Sequence, residues 1–381
     1  MRRLLLVVIA GVIALVPGCA RSERRSQPPS PVVLGEVDPL TGPLAASGFH
    51  NGILLAVEQA NRDGGIRGRQ IRLLVRDNQS RPDLAASAAR RLVTRDHAVA
   101  LVGGFVDSLV APVASVANSR QVPFVAAASL AKELTSSGNR YFFRVSSLGP
   151  FTASTVGFVR SRRAAKVGII YASTPGSTQL AQDQRAALEG AGVVVSPFQS
   201  VAVGTQDFSP VLARVKGASP GALLVNDPSE GDAILMAKQL RALGVRLPIV
   251  LFSFGLEPST LAAMGPVADG LYATVAWEAG LPVGGEPGAS LGRAYRQRFG
   301  EVADEGVAHG YAAAAALIQA MRAVGSPQIT SQQLVGALRD ASVDTPLGTV
   351  RFTSTGDPSA YRRYVVRVQQ GAYTLVFRPT G

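Results

Sequence analysis

The chain has 381 residues, is 47% hydrophobic and 17% charged, and carries a formal net charge of +12 with a single cysteine. That length and apolar content suffice for a large core shared between two domains, and they exclude a disordered chain. Apart from Arg21-Ser22-Glu23-Arg24-Arg25 the basic excess is scattered and does not interleave with stacking aromatics. This argues against a nucleic-acid surface and fits a body held near an anionic membrane.

Met1-Arg2-Arg3 gives a positive start, residues 4–16 are unbroken apolar or Gly, and the run ends in Val16-Pro17-Gly18-Cys19. The pattern predicts an export signal over 1–18, because its apolar core falls short of the roughly 20 residues that span a bilayer. Cys19 has no second cysteine to pair with, which excludes a structural disulfide. The ending resembles the lipobox of bacterial lipoproteins, and this implies that Cys19 takes a diacylglycerol and anchors the chain to the outer face of the cytoplasmic membrane. Residues 19–31, polar and rich in Pro, Ser and Arg, read as a tether of about 40 Å when extended.

A strand is expected over 32–37, then the turn-forming Asp38-Pro39-Leu40-Thr41-Gly42-Pro43-Leu44, then a helix over 47–62 with Ile53, Leu54, Val57 and Ala60 at helical spacing. Asp63-Gly64-Gly65-Ile66-Arg67-Gly68 stops that helix, since glycine accepts the left-handed conformation that closes a last turn. A strand over 70–76 and an amphipathic helix over 83–95 follow. Two strand-loop-helix units come next, 98–102 into Gly103-Gly104-Phe105-Val106-Asp107-Ser108 and 122–126 into Ala127-Ala128-Ser129-Leu130. In a parallel sheet both openings face the crevice beyond the strand ends. A helix start there offers unpaired N–H groups and a partial positive charge to an anion. Ser108 and Ser129 suit plain helix capping equally well.

Short apolar runs over 166–172, 193–198, 221–225 and 248–252 alternate with helical patterns over 177–189, 207–216 and 230–243. The fold class read from this alternation is α/β, with two doubly wound parallel-sheet lobes.

Leu40-Thr41-Gly42-Pro43-Leu44, Asn51-Gly52, the stretch Ala60-Asn61-Arg62-Asp63-Gly64-Gly65-Ile66-Arg67-Gly68-Arg69 and Asp77-Asn78-Gln79-Ser80 stand in one order. Gly103-Gly104, Pro123, Glu133-Leu134-Thr135, Arg144, Asp207-Phe208-Ser209 and Gly348 continue it. Together they resemble the leucine/isoleucine/valine-binding-protein-like family, the substrate-binding components of branched-chain amino-acid-type ABC importers. The resemblance implies the type I periplasmic binding protein fold, with three hinge crossings near 146–152, 272–278 and 345–348. Lobe one is then 32–147 plus 279–344, and lobe two 148–278 plus 345–381. It further implies a monomeric two-lobe clamp that closes on a small ligand and docks on permease subunits with associated ATPases.

In that family lobe one holds the ligand's carboxylate at positions matching Asp107, Ser108, Ala128, Ser129 and Leu130. The family's ammonium-binding acid aligns with Phe254 and its pocket tyrosines near Gly176 and Asn226, which leaves Asp227 or Glu257 to replace the acid. Asp107 sets a negative charge beside the expected carboxylate unless it points away or takes the ligand's amine. Phe105, Tyr171, Phe252, Phe254 and Trp277 end strands, placed either to stack on a ligand or to pack in a core. Ser47, opening the first helix, completes the candidate set. A carboxylate ligand with an apolar or aromatic body, amino acid or organic acid, fits these positions.

Other chemistries find little footing. Gly288-Ala289-Ser290-Leu291-Gly292 has nucleophile-elbow spacing but follows a Pro/Gly loop instead of a strand, although Asp304 and His309 come after it in hydrolase-like order. His50, His97 and His309 lie far apart and have no second ligand three or four residues after them, so no metal site is expected. No phosphate-loop motif occurs, and no cofactor is expected. A ligand sensor of the same fold remains the alternative, and it is expected to carry a signalling segment after the lobes.

Overall fold

Alternation of apolar strands with one-sided helices produces two sheets here, each closed over on both faces. The computed structural model describes residues 29–135, 138–227, 229–326 and 328–379. The expected export signal, Cys19 and the tether as far as residue 28 lie outside the described residues. Lobe one begins with β1 (Val32–Asp38), α1 (Ser47–Arg62), β2 (Ile71–Asp77) and α2 (Pro82–Thr94). It continues through β3 (Ala100–Phe105), α3 (Asp107–Arg120), β4 (Phe124–Ala128) and β5 (Phe142–Arg144). These five strands form a parallel sheet in the order β2-β1-β3-β4-β5.

The chain then crosses through α4 (Gly149–Ser161) into β6 (Lys166–Ala172), α5 (Pro175–Glu189), β7 (Val194–Val201), α6 (Ser209–Ala218) and β8 (Ala222–Asn226). After α7 (Glu230–Ala242) come β9 (Ile249–Phe252), α8 (Pro258–Met264) and β10 (Tyr272–Val275). It returns to lobe one with α9 (Gly285–Phe299), α10 (Glu305–Ala323), α11 (Ser331–Arg339) and the hairpin β11 (Val343–Thr345) and β12 (Gly348–Val350). The last pair, β13 (Tyr364–Gln369) and β14 (Ala372–Phe377), completes a seven-stranded sheet ordered β14-β13-β10-β9-β8-β6-β7.

Three expectations are corrected. The second sheet is mixed, not parallel throughout: β13 runs antiparallel to β10 and to β14. A tight turn can join only antiparallel strands, and Gln370 and Gly371, both at positive φ (51° and 74°), make the mirror-image turn that suits strand twist. No α-helix opens at 127–130: β4 runs on to Ala128, and a short loop leads from it into a single 3₁₀ turn, Lys132–Thr135. The last crossing comes after 345–348, which is the turn of the β11–β12 hairpin. Residues 351–358 stay on lobe one: Arg144 N donates to Gly356 O at 3.0 Å, Arg144 Nε to Asp357 Oδ1 at 2.6 Å, and Phe352 meets Phe143 edge-on at 5.2 Å.

Lobe one is locked by a seam of small residues. A Cβ on Gly52 would lie 2.1 Å from Val307 O, and one on Gly310 would lie 2.0 Å from Phe49 O. So α1 and α10 touch backbone to backbone, and the late return of the chain is built into the core.

Candidate functional site

The carboxyl ends of β1, β3 and β4 face those of β6, β8 and β9, the place where open parallel sheets bind ligands. On lobe one, Gly103 and Gly104 (φ 103° and 90°) let the chain pass over Asp38, whose Oδ1 accepts from Gly104 N at 2.7 Å. Val106 follows at φ 66°, an outlier for a β-branched residue, and launches α3 at Asp107. Outliers of this kind collect at ligand sites.

Asp107 reaches across to the loop after β4. Its Oδ1 accepts from Ser129 Oγ at 2.8 Å, Leu130 N at 2.8 Å and Ala131 N at 3.0 Å. Ser129 and Leu130 are among the positions expected to hold a ligand carboxylate, and the chain's own carboxylate already holds their donors. The contact satisfies the leading N–H groups ahead of the 3₁₀ turn from another element, as a cap does. The loop is braced from beneath by Arg144, buried, whose Nη1 donates to Ser129 O (3.2 Å) and Ala131 O (2.8 Å). Ser146 Oγ closes the other side with Ser129 N at 3.1 Å. Motif matching flagged Arg144 without its role, because its partners lie in three separate segments.

Lobe two meets this point with the first turn of α5. A Cβ on Gly176 would stand 3.3 Å from Asp107 Oδ2 and 4.0 Å from Leu130 Cβ. Lys132 Nζ pairs with Asp183 Oδ2 at 3.0 Å, so the lobes touch along this edge. Asp107, Ser129, Leu130 and Gly176 are thus brought together, with Ala128 half-buried at the end of β4. Ser47 and Ser108 are exposed at the starts of α1 and α3.

Aromatic residues divide between wall and core. Phe105 is half-buried and stacks on Phe49 (4.9 Å), while Phe254, also half-buried, leans on Phe151 (5.4 Å). Trp277 and Phe252 are 1% exposed and belong to the core. A Cβ on Gly288 would lie 2.5 Å from Trp277 Nε1, which leaves the indole no room to swing. Tyr171 packs on Phe198 at 4.9 Å, inside lobe two. Ser290 lies within α9, so the elbow spacing has no elbow.

Beneath the lobe-two wall runs a buried polar chain: Asn226 Nδ2 to Gln184 Oε1 (2.7 Å), and Gln184 Nε2 to Thr155 Oγ1 (2.9 Å) and Ser253 Oγ (3.2 Å). Asn226 Oδ1 and Asp227 Oδ2 are buried acceptors with no partner among the described residues. Asp227 is pushed up to about 6 by burial, partly offset by the N–H of Ser229.

Sequence reading missed a convergence of carboxyl groups at the other end of the cleft. Glu230 opens α7, Glu257 follows β9, Glu278 lies on the crossing after β10, and Asp304 and Glu305 begin α10. Burial pushes Glu278 up to about 8, helped by Glu305, Asp304 and Glu257. Glu257 is exposed as a residue, yet desolvation of its carboxyl, with Asp304 and Glu230 nearby, pushes it up to about 7. Asp304 caps Val307 N at 2.9 Å and is raised by burial. Glu305 is held by the buried Arg363, whose Nη2 reaches Oε2 at 3.2 Å and whose Nε donates to Thr274 Oγ1 at 3.0 Å. The charge pattern of 230–305 showed acids, but nothing short-range placed them together.

Among the described residues no three metal-ligating side chains cluster. His309 instead bonds Glu305 O (2.9 Å) and Tyr361 OH (3.1 Å).

Two α/β lobes, three crossings and a cleft at the strand ends define a bilobal solute-binding protein. The periplasmic binding protein family matches residues 31–372, and the chain belongs to it. Its members are extracytoplasmic, non-enzymatic transport components. The Leu/Ile/Val-binding protein homolog 3 of Brucella melitensis is 27% identical over 336 residues, covering 86% of this chain and 89% of that protein. The leucine-, isoleucine-, valine-, threonine- and alanine-binding protein of Pseudomonas aeruginosa is 25% identical over 84% of this chain and 85% of its own length. Of solved structures, the branched-chain amino acid transporter substrate-binding protein of Streptococcus pneumoniae with isoleucine superposes with a TM-score of 0.81 at 20% identity, covering 91% and 99%. A solute-binding protein of R. palustris with benzoate gives 0.80 at 18%, covering 92% and 96%. Both confirm the fold.

Proposed function

We propose that this chain is the solute-binding component of an ABC importer, held by lipidated Cys19 at the outer face of the cytoplasmic membrane. It closes two lobes on one small organic solute and presents the closed form to a permease with its ATPases. The observation that carries this reading is the cross-lobe contact at Asp107, Leu130 and Gly176, set at the strand ends where such folds take ligands. The half-buried rings of Phe105 and Phe254 supply apolar walls, one from each lobe. Relatives are named for branched-chain amino acids and one structural neighbour holds benzoate, which sets the expected size of the solute. A ligand with contacts in both lobes shifts the population toward closure.

Small-angle scattering tests the clamp: a solute that binds is expected to lower the radius of gyration, and binding without compaction refutes it. Cys19→Ser tests the anchor. The variant is expected to leave the membrane fraction, and its retention there refutes lipidation at that residue.

A further inference from the structure

Three donors of the loop after β4 converge on Asp107 Oδ1. An incoming carboxylate would have to displace a covalently tethered one and then sit beside it, with like charges opposed in a partly dry cleft. At the other end, carboxyl groups of both lobes gather without matching cations. Arg363 is committed to Glu305, and the carboxyl groups of Glu257 and Glu278 have no ion-pair or hydrogen-bond partner among the described residues. This happens in a chain whose net charge is +12, so the acidity belongs to this pole and not to the protein at large.

A second, independent observation concerns hydrogen-bond demand. Buried oxygens at the strand ends of lobe two that lack partners among the described residues include Asn226 Oδ1 and Asp227 Oδ2, from residues 0% and 4% exposed. The amide oxygen accepts and cannot donate, and the same holds for Asp227 when it is ionised, so both call for N–H groups. Between the two poles stand the Phe105 and Phe254 rings, whose faces attract cations.

Resting on the solute-binding reading above, we propose that the ligand is an organic cation, an amine or amidinium on an apolar body, and that Asp107 occupies the place where a ligand carboxylate would be held. Asp107 Oδ2, turned toward Gly176, and the Glu257/Glu278 pair then attract positive charge, and the apolar body lies against the two rings. Water is excluded as the lobes close, which strengthens these attractions.

The test uses the full chain in detergent and two matched trios: leucine, isoamylamine and isocaproate, then phenylalanine, phenethylamine and hydrocinnamate. Thermal shift and calorimetry are expected to show an amine binding at least tenfold more tightly than its carboxylate partner. Glu257→Gln with Glu278→Gln is expected to weaken the amine tenfold or more. Asp107→Ser, which frees the three donors, is expected to move preference toward the amino acid or the carboxylate. A carboxylate or amino acid binding as tightly as the amine overturns the inference and leaves the solute-binding reading intact. So does loss of all binding by both amines. Failure of a broad solute panel to compact the chain at all overturns both.

Discussion

Glu36 offers a quantitative test of how burial governs this protein. It lies on β1, 0% exposed, with Oε1 2.7 Å from His50 Nδ1 and with Asp38, also fully buried, beside it. Desolvation pushes Glu36 up to about 8 from 4.5, and Asp38 is raised as well, by burial first and then by the Glu36 charge. Burial lowers His50, and the Asp38 charge acts against that. The folded state keeps the Glu36 proton up to about pH 8, whereas the unfolded chain releases it above 4.5. The unfolded state therefore binds fewer protons in this window, and stability falls as pH rises through it. At about 1.4 kcal/mol per pH unit the loss amounts to about 5 kcal/mol at most. Glu36→Gln keeps the shape and has no proton to lose. Urea unfolding at about pH 5 and about pH 8 is expected to show the variant gaining several kcal/mol relative to wild type at the higher pH. Parallel pH slopes for the two proteins would refute the claim that this carboxyl is held neutral.

Gly310→Ala forces a Cβ to within 2.0 Å of Phe49 O, so α1 and α10 must part, and a loss of about 1–3 kcal/mol is expected in urea melts. Gly336→Ala, in α11 with open space around it, is expected to stabilise by about 0.5–1 kcal/mol in the same assay. Arg363→Leu strands Glu305 beside other carboxyls, with an expected loss of about 3 kcal/mol by thermal or urea unfolding. Lys132→Ala removes an exposed cross-lobe pair, and its effect on stability is expected to stay under about 1 kcal/mol.

Features set by neighbours in sequence were legible. The helix expected over 47–62 is α1 to the residue, and the strand expected over 166–172 is β6, because apolar spacing and glycine stops act over a few residues. Features set by distant partners were not. The capping of 129–131 by Asp107 joins segments more than 20 residues apart. Arg363 meets Glu305 across 58 residues, so the acidic end of the cleft had no signature in any single stretch. The glycine pairs Gly48/Gly52 and Gly306/Gly310 take their meaning only from their opposition across the core. The Gln370-Gly371 turn lies in a segment read as part of a parallel lobe, and its positive φ values appear only in the structure.

The glycine seam has a consequence for biogenesis. The five strands of lobe one are complete by residue 144, yet the helix that interlocks with α1 begins at 305. Until that late segment emerges, one flank of the first sheet stays greasy and uncovered, and long-range loop closure must precede the contacts that reward it. A polypeptide bound for export is thereby kept from maturing early: the N-terminal lobe cannot lock until most of the chain has been made.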